Sequence, residues 1–189
     1  MQQAGEYRIG APIDAVWRAL NDPDVLARCI DGCEAMTKVG DDAFAATVKA
    51  KVGPLSATFT GEIKLTDLNP PRSYTLEGSV KGGAAGFGKG TAKVSLSEDG
   101  AATLLRYEVE GSVGGKLAQV GQRLIDGAAR KMADDFFASF GEIVAPGASE
   151  KTPAPETAPS EPRVGSLVVP IIVVAVVALA ALIAMIVLR

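Results

Sequence analysis

The sequence predicts an α+β domain, an antiparallel sheet of about seven strands wrapped on a long C-terminal helix, with a transmembrane helix after it. Three patterns carry that prediction. Between residues 43 and 113 apolar side chains alternate with polar ones, the period of strands with one buried face. From residue 116 the period changes to three and four, that of an amphipathic helix. Residues 166–188, "SLVVPIIVVAVVALAALIAMIVL", carry no charge over 23 residues. As a helix they would rise about 34 Å, against a hydrocarbon layer of about 30 Å.

In chain order, "YRIG" reads as a short strand. Pro12 then opens the helix "PIDAVWRAL", and Asp22 before Pro23 caps a second, "PDVLARCI". Turn signals follow at Gly40-Asp41-Asp42, Gly53-Pro54, Asn69-Pro70-Pro71, the glycine stretch "GGAAGFGKGT" from Gly82, and Asp99-Gly100, leaving room for six strands in meander order. The inward faces are Phe44, Ala46, Val48, Ala50, Val52; Leu55, Ala57, Phe59, Gly61, Ile63, Leu65; Tyr74, Leu76, Gly78, Val80, Gly82; Ala92, Val94, Leu96; and Leu105, Tyr107, Val109, Gly111, Val113. One long helix is then expected to face the sheet with Leu117, Val120, Gly121, Leu124, Ala128, Met132, Phe136 and Phe140.

These patterns divide the chain into a folded domain, residues 1–145, a linker, residues 146–165, and the span, residues 166–188. The linker has five prolines in "PGASEKTPAPETAPSEPR" and almost no large apolar residue, the composition of an extended tether. Pro170 falls in the first turn of the span, and Arg163 and Arg189 bracket it. Ala180 and Ala184 have the spacing of a helix-packing motif, a weak signal in an alanine-rich segment. The N-terminus lacks the charged leader and apolar core of a signal peptide. The expectation is a single-pass tail anchor in the cytoplasmic membrane, with the N-terminal domain in the cytoplasm.

Composition narrows the chemistry. A net charge of −3 with both signs interspersed offers nucleic acid no continuous basic surface. No histidine is present, which removes the commonest general base and metal ligand together. Cys29 and Cys33 are spaced C-x-x-x-C with nothing nearby to complete a zinc site, and read as reduced structural thiols. The acidic pairs Asp134–Asp135 and Glu108/Glu110, and Arg123, Arg130 and Lys131, read as solvated surface. No catalytic residue and no metal ligand is predicted.

The glycine stretch imitates a phosphate loop: Gly83, four residues, then Gly88-Lys89. The next residue is Gly90 where Ser or Thr should bind magnesium, and a strand pattern follows where a helix should open. Strand parity puts Gly86, Gly88 and Gly90 inward and Phe87 and Lys89 outward, where they form a candidate partner surface. Inward glycines recur at Gly61, Gly78, Gly82 and Gly111, opposite Gly121, Gly127, Ala128 and Ala129 on the helix. Two readings stay open. Either sheet and helix approach closely there, or the missing side chains leave a cavity for an apolar ligand. On the second reading the ligand-binding residues are Phe59, Gly61, Tyr74, Leu76, Gly78, Gly88, Gly90, Leu117, Val120, Gly121, Leu124, Ala128 and Met132.

The element order resembles the helix-grip fold of START-like (SRPBCC) proteins. The segments "FTGEIKLTDLNPPRSYTLEG", "GGAAGFGKGTAKVSL" and "GGKLAQVGQRLIDGAARKMADDFF" look like CoxG, a family of carbon monoxide dehydrogenase accessory proteins, over roughly residues 1–145. The resemblance implies a non-catalytic accessory of the aerobic molybdenum–copper carbon monoxide dehydrogenase at the cytoplasmic membrane. It also implies an apolar ligand between sheet and helix, a respiratory quinone being the expected one, held without covalent attachment. The alternatives are an adaptor for the dehydrogenase with no ligand, or a lipid carrier.

Overall fold

The computed structural model describes residues 2–145; the expected linker, residues 146–165, and span, residues 166–188, lie outside them. Strand β1 (Gln2–Ile9) leads into α1 (Ile13–Leu20), which follows Pro12, and α2 (Pro23–Cys29). Asn21 ends α1 and Asp22 starts α2: its Oδ1 accepts the backbone N–H of Asp24 at 2.9 Å, and Pro23 occupies the first helical position. That satisfies a donor that the helix leaves unpaired. Six strands follow: β2 (Cys33–Lys38), β3 (Ala43–Val52), β4 (Leu55–Asn69), β5 (Ser73–Lys81), β6 (Phe87–Asp99) and β7 (Ala102–Gly114).

The sheet is antiparallel throughout, in the order β1-β7-β6-β5-β4-β3-β2. The first strand thus pairs with the last, and the meander ends at β2. Inward parity follows the sequence: Phe44, Val48, Val52, Phe59, Ile63, Val80, Leu96, Leu105 and Val109 are all buried. The interior is apolar because each strand turns every second residue the same way. β4 carries a bulge between Thr66 and Asn69, where Asp67 adopts φ 50°.

Two expectations change here. The glycine stretch does not run on as strand. Gly82–Gly86 closes a tight turn containing one turn of 3₁₀ helix (Gly83–Ala85), with Gly82 N–H donating to Gly86 C=O at 2.7 Å. Gly86, at φ 119°, lies against Gly114 and Gly115, where a Cβ would overlap the Gly114 carbonyl. Strand parity resumes only from Phe87, with Gly88 buried and Gly90 partly so.

The C-terminal helix is also not one helix. A short α3 (Lys116–Gln119) is followed by Gly121 at φ 96°, which restarts the chain as α4 (Gln122–Val144). The expected face holds at Phe136 and Phe140 but is one residue off in the first turns, since steps of four from Val120 drift from the 3.6-residue period. Leu117 is buried before the break, but after it the buried face is Ile125, Asp126, Ala129, Ala133, Phe136 and Phe140. Leu124, expected inward, is 51% exposed; Gly121 is exposed, and Ala128 and Met132 are half-buried. A Cβ at Gly121 or Gly127 would meet nothing, so these glycines are not points of close packing on the sheet. Helix α4 lies against α1, α2 and β3 and closes one side of the curved sheet. Among the described residues no helix is long and apolar enough to cross a membrane.

Candidate functional site: an apolar cavity with a buried hydroxyl

A cavity of about 70 Å³ lies between the sheet and α4. Leu20 of α1 and Leu26 of α2 wall one side. Phe44, Ile63, Leu65, Tyr74, Leu76, Val94, Leu105 and Tyr107 come from five consecutive strands, and Ala133, Phe136 and Phe137 from α4. These residues meet because the strands turn their inward sets to one concave face while the phase of α4 after Gly121 brings Ala133 and Phe136 onto it. Ala133 has too little side chain to reach the sheet, and the space in front of it stays open.

An aromatic cluster forms the wall nearest β1. The Tyr7 ring stacks on Phe137 with centroids 4.0 Å apart, and Tyr107 lies 6.0 Å from Phe137 and 6.1 Å from Tyr7. The Tyr7 hydroxyl donates to Asp134 Oδ1 at 2.7 Å, tying β1 to α4. Gly5, paired with Tyr107 across the sheet, leaves room for that ring: a Cβ there would overlap the Tyr107 hydroxyl. On the other side Trp17 meets Tyr74 edge-on, centroids 5.4 Å apart.

The Tyr107 hydroxyl is buried and makes no hydrogen bond of good geometry; the Tyr7 hydroxyl, which donates to Asp134, lies close enough to lower its pKa but not in good alignment. An unpaired buried donor costs about 1–3 kcal/mol, so it is the one polar feature of the lining that invites a partner. Burial pushes its pKa up to about 12. Tyr7 is raised as well, first by burial and then by its bond to Asp134, and Tyr74 by burial alone. All three therefore stay protonated near neutrality, as donors rather than anions. Gln3 is inward two residues before Gly5 and is 6% exposed, with neither its Oε1 nor its Nε2 hydrogen-bonded. Two larger depressions, about 390 and 330 Å³, lie on the outer sheet face around Lys93 and Glu108, with charged residues in their lining.

Of the residues expected to bind a ligand, Tyr74 and Leu76 line the cavity. The others lie outside its lining. Phe59 is buried with its ring against Gly82, filling the space those residues were expected to leave. Gly61 and Gly88 are buried, and Gly78 and Gly90 are partly exposed in a cross-strand row with Gly111. Leu117 is buried, while Val120 and Leu124 sit beside Gly53 at the β3–β4 turn. Gly121 is exposed, and Ala128 and Met132 remain half-buried. The cavity thus lies further from the glycine turns than expected, because Phe59, Gly86 and Gly114 pack that end closely. Phe87, 52% exposed, and Lys89 point outward as parity required.

Reading β1 as "YRIG" alone misses the site roles of Tyr7, Gly5 and Gln3; the alternation of Gln3, Gly5, Tyr7 and Ile9 is the signal that carries them. The thiols of Cys29 and Cys33 are free, and burial raises both, Cys29 to about 11. Among the described residues no cluster of acidic residues and cysteines could hold a metal ion.

The family model for the CoxG protein of carbon monoxide dehydrogenase matches residues 5–145. The chain belongs to the CoxG family. Membership implies association with carbon monoxide dehydrogenase. Among solved structures, a conserved protein from Geobacillus kaustophilus is similar at 29% identity and a TM-score of 0.72, over 77% of this chain and 95% of that one. A START superfamily protein from Mycobacterium smegmatis shares the fold at 11% identity and a TM-score of 0.57, over 76% and 96% of the two chains. A protein from Chromobacterium violaceum does so at 16% and 0.56, over 77% and 97%. A comparison with curated proteins finds no match.

Proposed function

We propose that this CoxG-family protein is a membrane-tethered, non-catalytic accessory of carbon monoxide dehydrogenase that binds a respiratory quinone between its sheet and α4. The single observation that carries the ligand half is the Tyr107 hydroxyl, buried without a well-aligned hydrogen bond at a cavity whose lining is apolar apart from it and Tyr74. A quinone presents what that site lacks: a carbonyl acceptor on an apolar ring with an apolar tail. The protein supplies burial, a donor and placement at the membrane; electron transfer belongs to the dehydrogenase. The apolar residues 166–188 support the tether, which holds the domain at high local concentration near the bilayer. They also support a location at the cytoplasmic membrane.

The size of the cavity sets a condition. At about 70 Å³ it is half the roughly 150 Å³ of an apolar cavity that admits benzene, so a quinone ring enters only if the wall moves. Leu76 and Phe137 are half-buried lining residues able to turn outward. The same small volume favours a second reading, an adaptor with no ligand.

The test uses the full chain purified in detergent, with bound lipids identified by mass spectrometry. A short-chain quinone is then titrated against fluorescence of Trp17, the single tryptophan, one ring away from the cavity wall. Saturable quenching, weakened about 2- to 13-fold in Tyr107→Phe, is expected from one buried hydrogen bond. Neither co-purified quinone nor saturable quenching would leave the ligand-free adaptor.

A further inference from the structure

We propose that the end of the domain formed by three glycine-bearing turns docks on an anionic lipid surface. The β3–β4 turn, the β5–β6 turn and the β7–α3–α4 connection lie together, since Gly53 abuts Val120 and Leu124 and Gly86 abuts Gly114 and Gly115. Residues 51–56, 81–89 and 112–125 carry Lys51, Lys81, Lys89, Lys116 and Arg123 and no Asp or Glu. All five cations are exposed. The loops at the opposite end of the strands, residues 38–43, 66–73 and 98–102, carry Asp41, Asp42, Asp67, Glu98 and Asp99 against Lys38 and Arg72. A chain with a net charge of −3 is therefore polarised along its strands, with three cationic turns at one end; the acids nearest, Asp31 and Glu34 around the start of β2, flank the Cys33–Val48 pair further in.

That end also presents apolar side chains. Phe87 and Leu124 are 52% and 51% exposed, two of the four large apolar residues exposed among the described ones. Cations surrounding an exposed aromatic and a leucine match the headgroup–acyl boundary, where apolar groups sink in while Lys and Arg meet phosphate. A protein partner would be expected to leave some paired charge; here both apolar groups are exposed on segments whose only charged residues are cations.

The chain outside the structure permits this orientation. Helix α4 carries the chain away from the cationic end over 23 residues, about 34 Å. Residues 146–165, at about 3 Å each when extended, span roughly 60 Å, enough to return to the membrane plane beside that end. The docking concerns the same membrane as the reading above, yet does not require the anchor to hold.

The test measures hydrogen exchange of the full chain in vesicles of phosphatidylglycerol and phosphatidylcholine, against phosphatidylcholine alone, with flotation at 1 M salt reading the anchor independently. Backbone protection at residues 81–89 and 116–124 is expected only with the anionic lipid, and is lost at 1 M salt, where screening falls to about 3 Å. Lys81→Gln with Lys89→Gln should weaken the docking equilibrium read from that protection roughly 25-fold, about fivefold per lysine; Phe87→Ser should weaken it at low salt with every cation in place. Equal exchange in both lipids, or a double-lysine variant protected like the parent, overturns the proposal. So does protection that appears in lipid-free detergent only when carbon monoxide dehydrogenase is added, which makes this end a protein interface. Failure to float at high salt removes the anchor alone, and docking is then judged from protection by excess added vesicles.

Discussion

Replacing Ala133 with Val tests whether the cavity is a true void that a ligand uses. Ala133 is 1% exposed and lines the cavity from the middle of α4, so two added methyl groups enter it. At about 24 cal/mol per Å³, a void of about 70 Å³ costs about 1.7 kcal/mol. Two buried methyls at about 0.8 kcal/mol each recover nearly the same amount. Val forfeits roughly 0.6 kcal/mol of helix propensity relative to Ala. The net is about 1 kcal/mol of added stability, a rise of about 3–4 °C in Tm for a domain of this size. Thermal unfolding followed by circular dichroism reads the first half, and quinone titration of Trp17 fluorescence the second, where binding should fall at least tenfold. A Tm lowered by several degrees would mean that the space is already filled, since overpacking costs about 1–3 kcal/mol. Higher stability with unchanged quinone binding would place the ligand elsewhere.

Three further outcomes follow from packing and charge. Gly86→Ala forces a Cβ into the Gly114 carbonyl at φ 119° and should cost more than about 2 kcal/mol in urea unfolding, whereas Ala at the equally left-handed but open Gly121 should cost less. Ile125→Ala should lose about 2–5 kcal/mol while Leu124→Ala stays within about 0.5 kcal/mol, a contrast that reverses if Leu124 takes the inward face. Burial raises Tyr107 to about 12 in the folded protein from 10.0, so its contribution is fully present below pH 10 and lost as pH climbs through 12. In that window the unfolded chain binds fewer protons, stability falls with pH, and Tyr107→Phe should flatten the fall in urea unfolding above pH 10.

Much of the fold is legible in local pattern. Asp22-Pro23 announces a helix start because one carboxylate can accept the exposed N–H groups of the first turn. Period-two alternation across residues 43–113 sets which side chains face inward, because a strand turns every second residue the same way regardless of its neighbours. Parity likewise puts Phe87 and Lys89 outside and Gly88 inside. It fails at Gly86 because a tight turn interrupts the strand pattern there. The face of α4 is right at Phe136 and Phe140 and one residue off at Leu124, Ala128 and Met132, where strict steps of four drift from the helical period; the break at Gly121 is hidden because "QVGQRL" reads as continuous helix.

What the sequence alone determined is the order of elements, the inward face of the strands from Phe44 onward, the membership in the CoxG family and the absence of histidine chemistry. Only tertiary structure decided where space remains. The cavity exists because side chains from two short helices, five strands and α4 converge without Ala133 filling the middle, a sum over residues up to 117 positions apart. The unpaired Tyr107 hydroxyl has the same origin: its Tyr7 neighbour is drawn to Asp134 on a helix that the sequence places 127 residues away. The cationic end is assembled from three turns whose charges are unremarkable singly. Periodicity is written in neighbouring residues, whereas voids, orphaned donors and charge polarity arise from how distant residues meet.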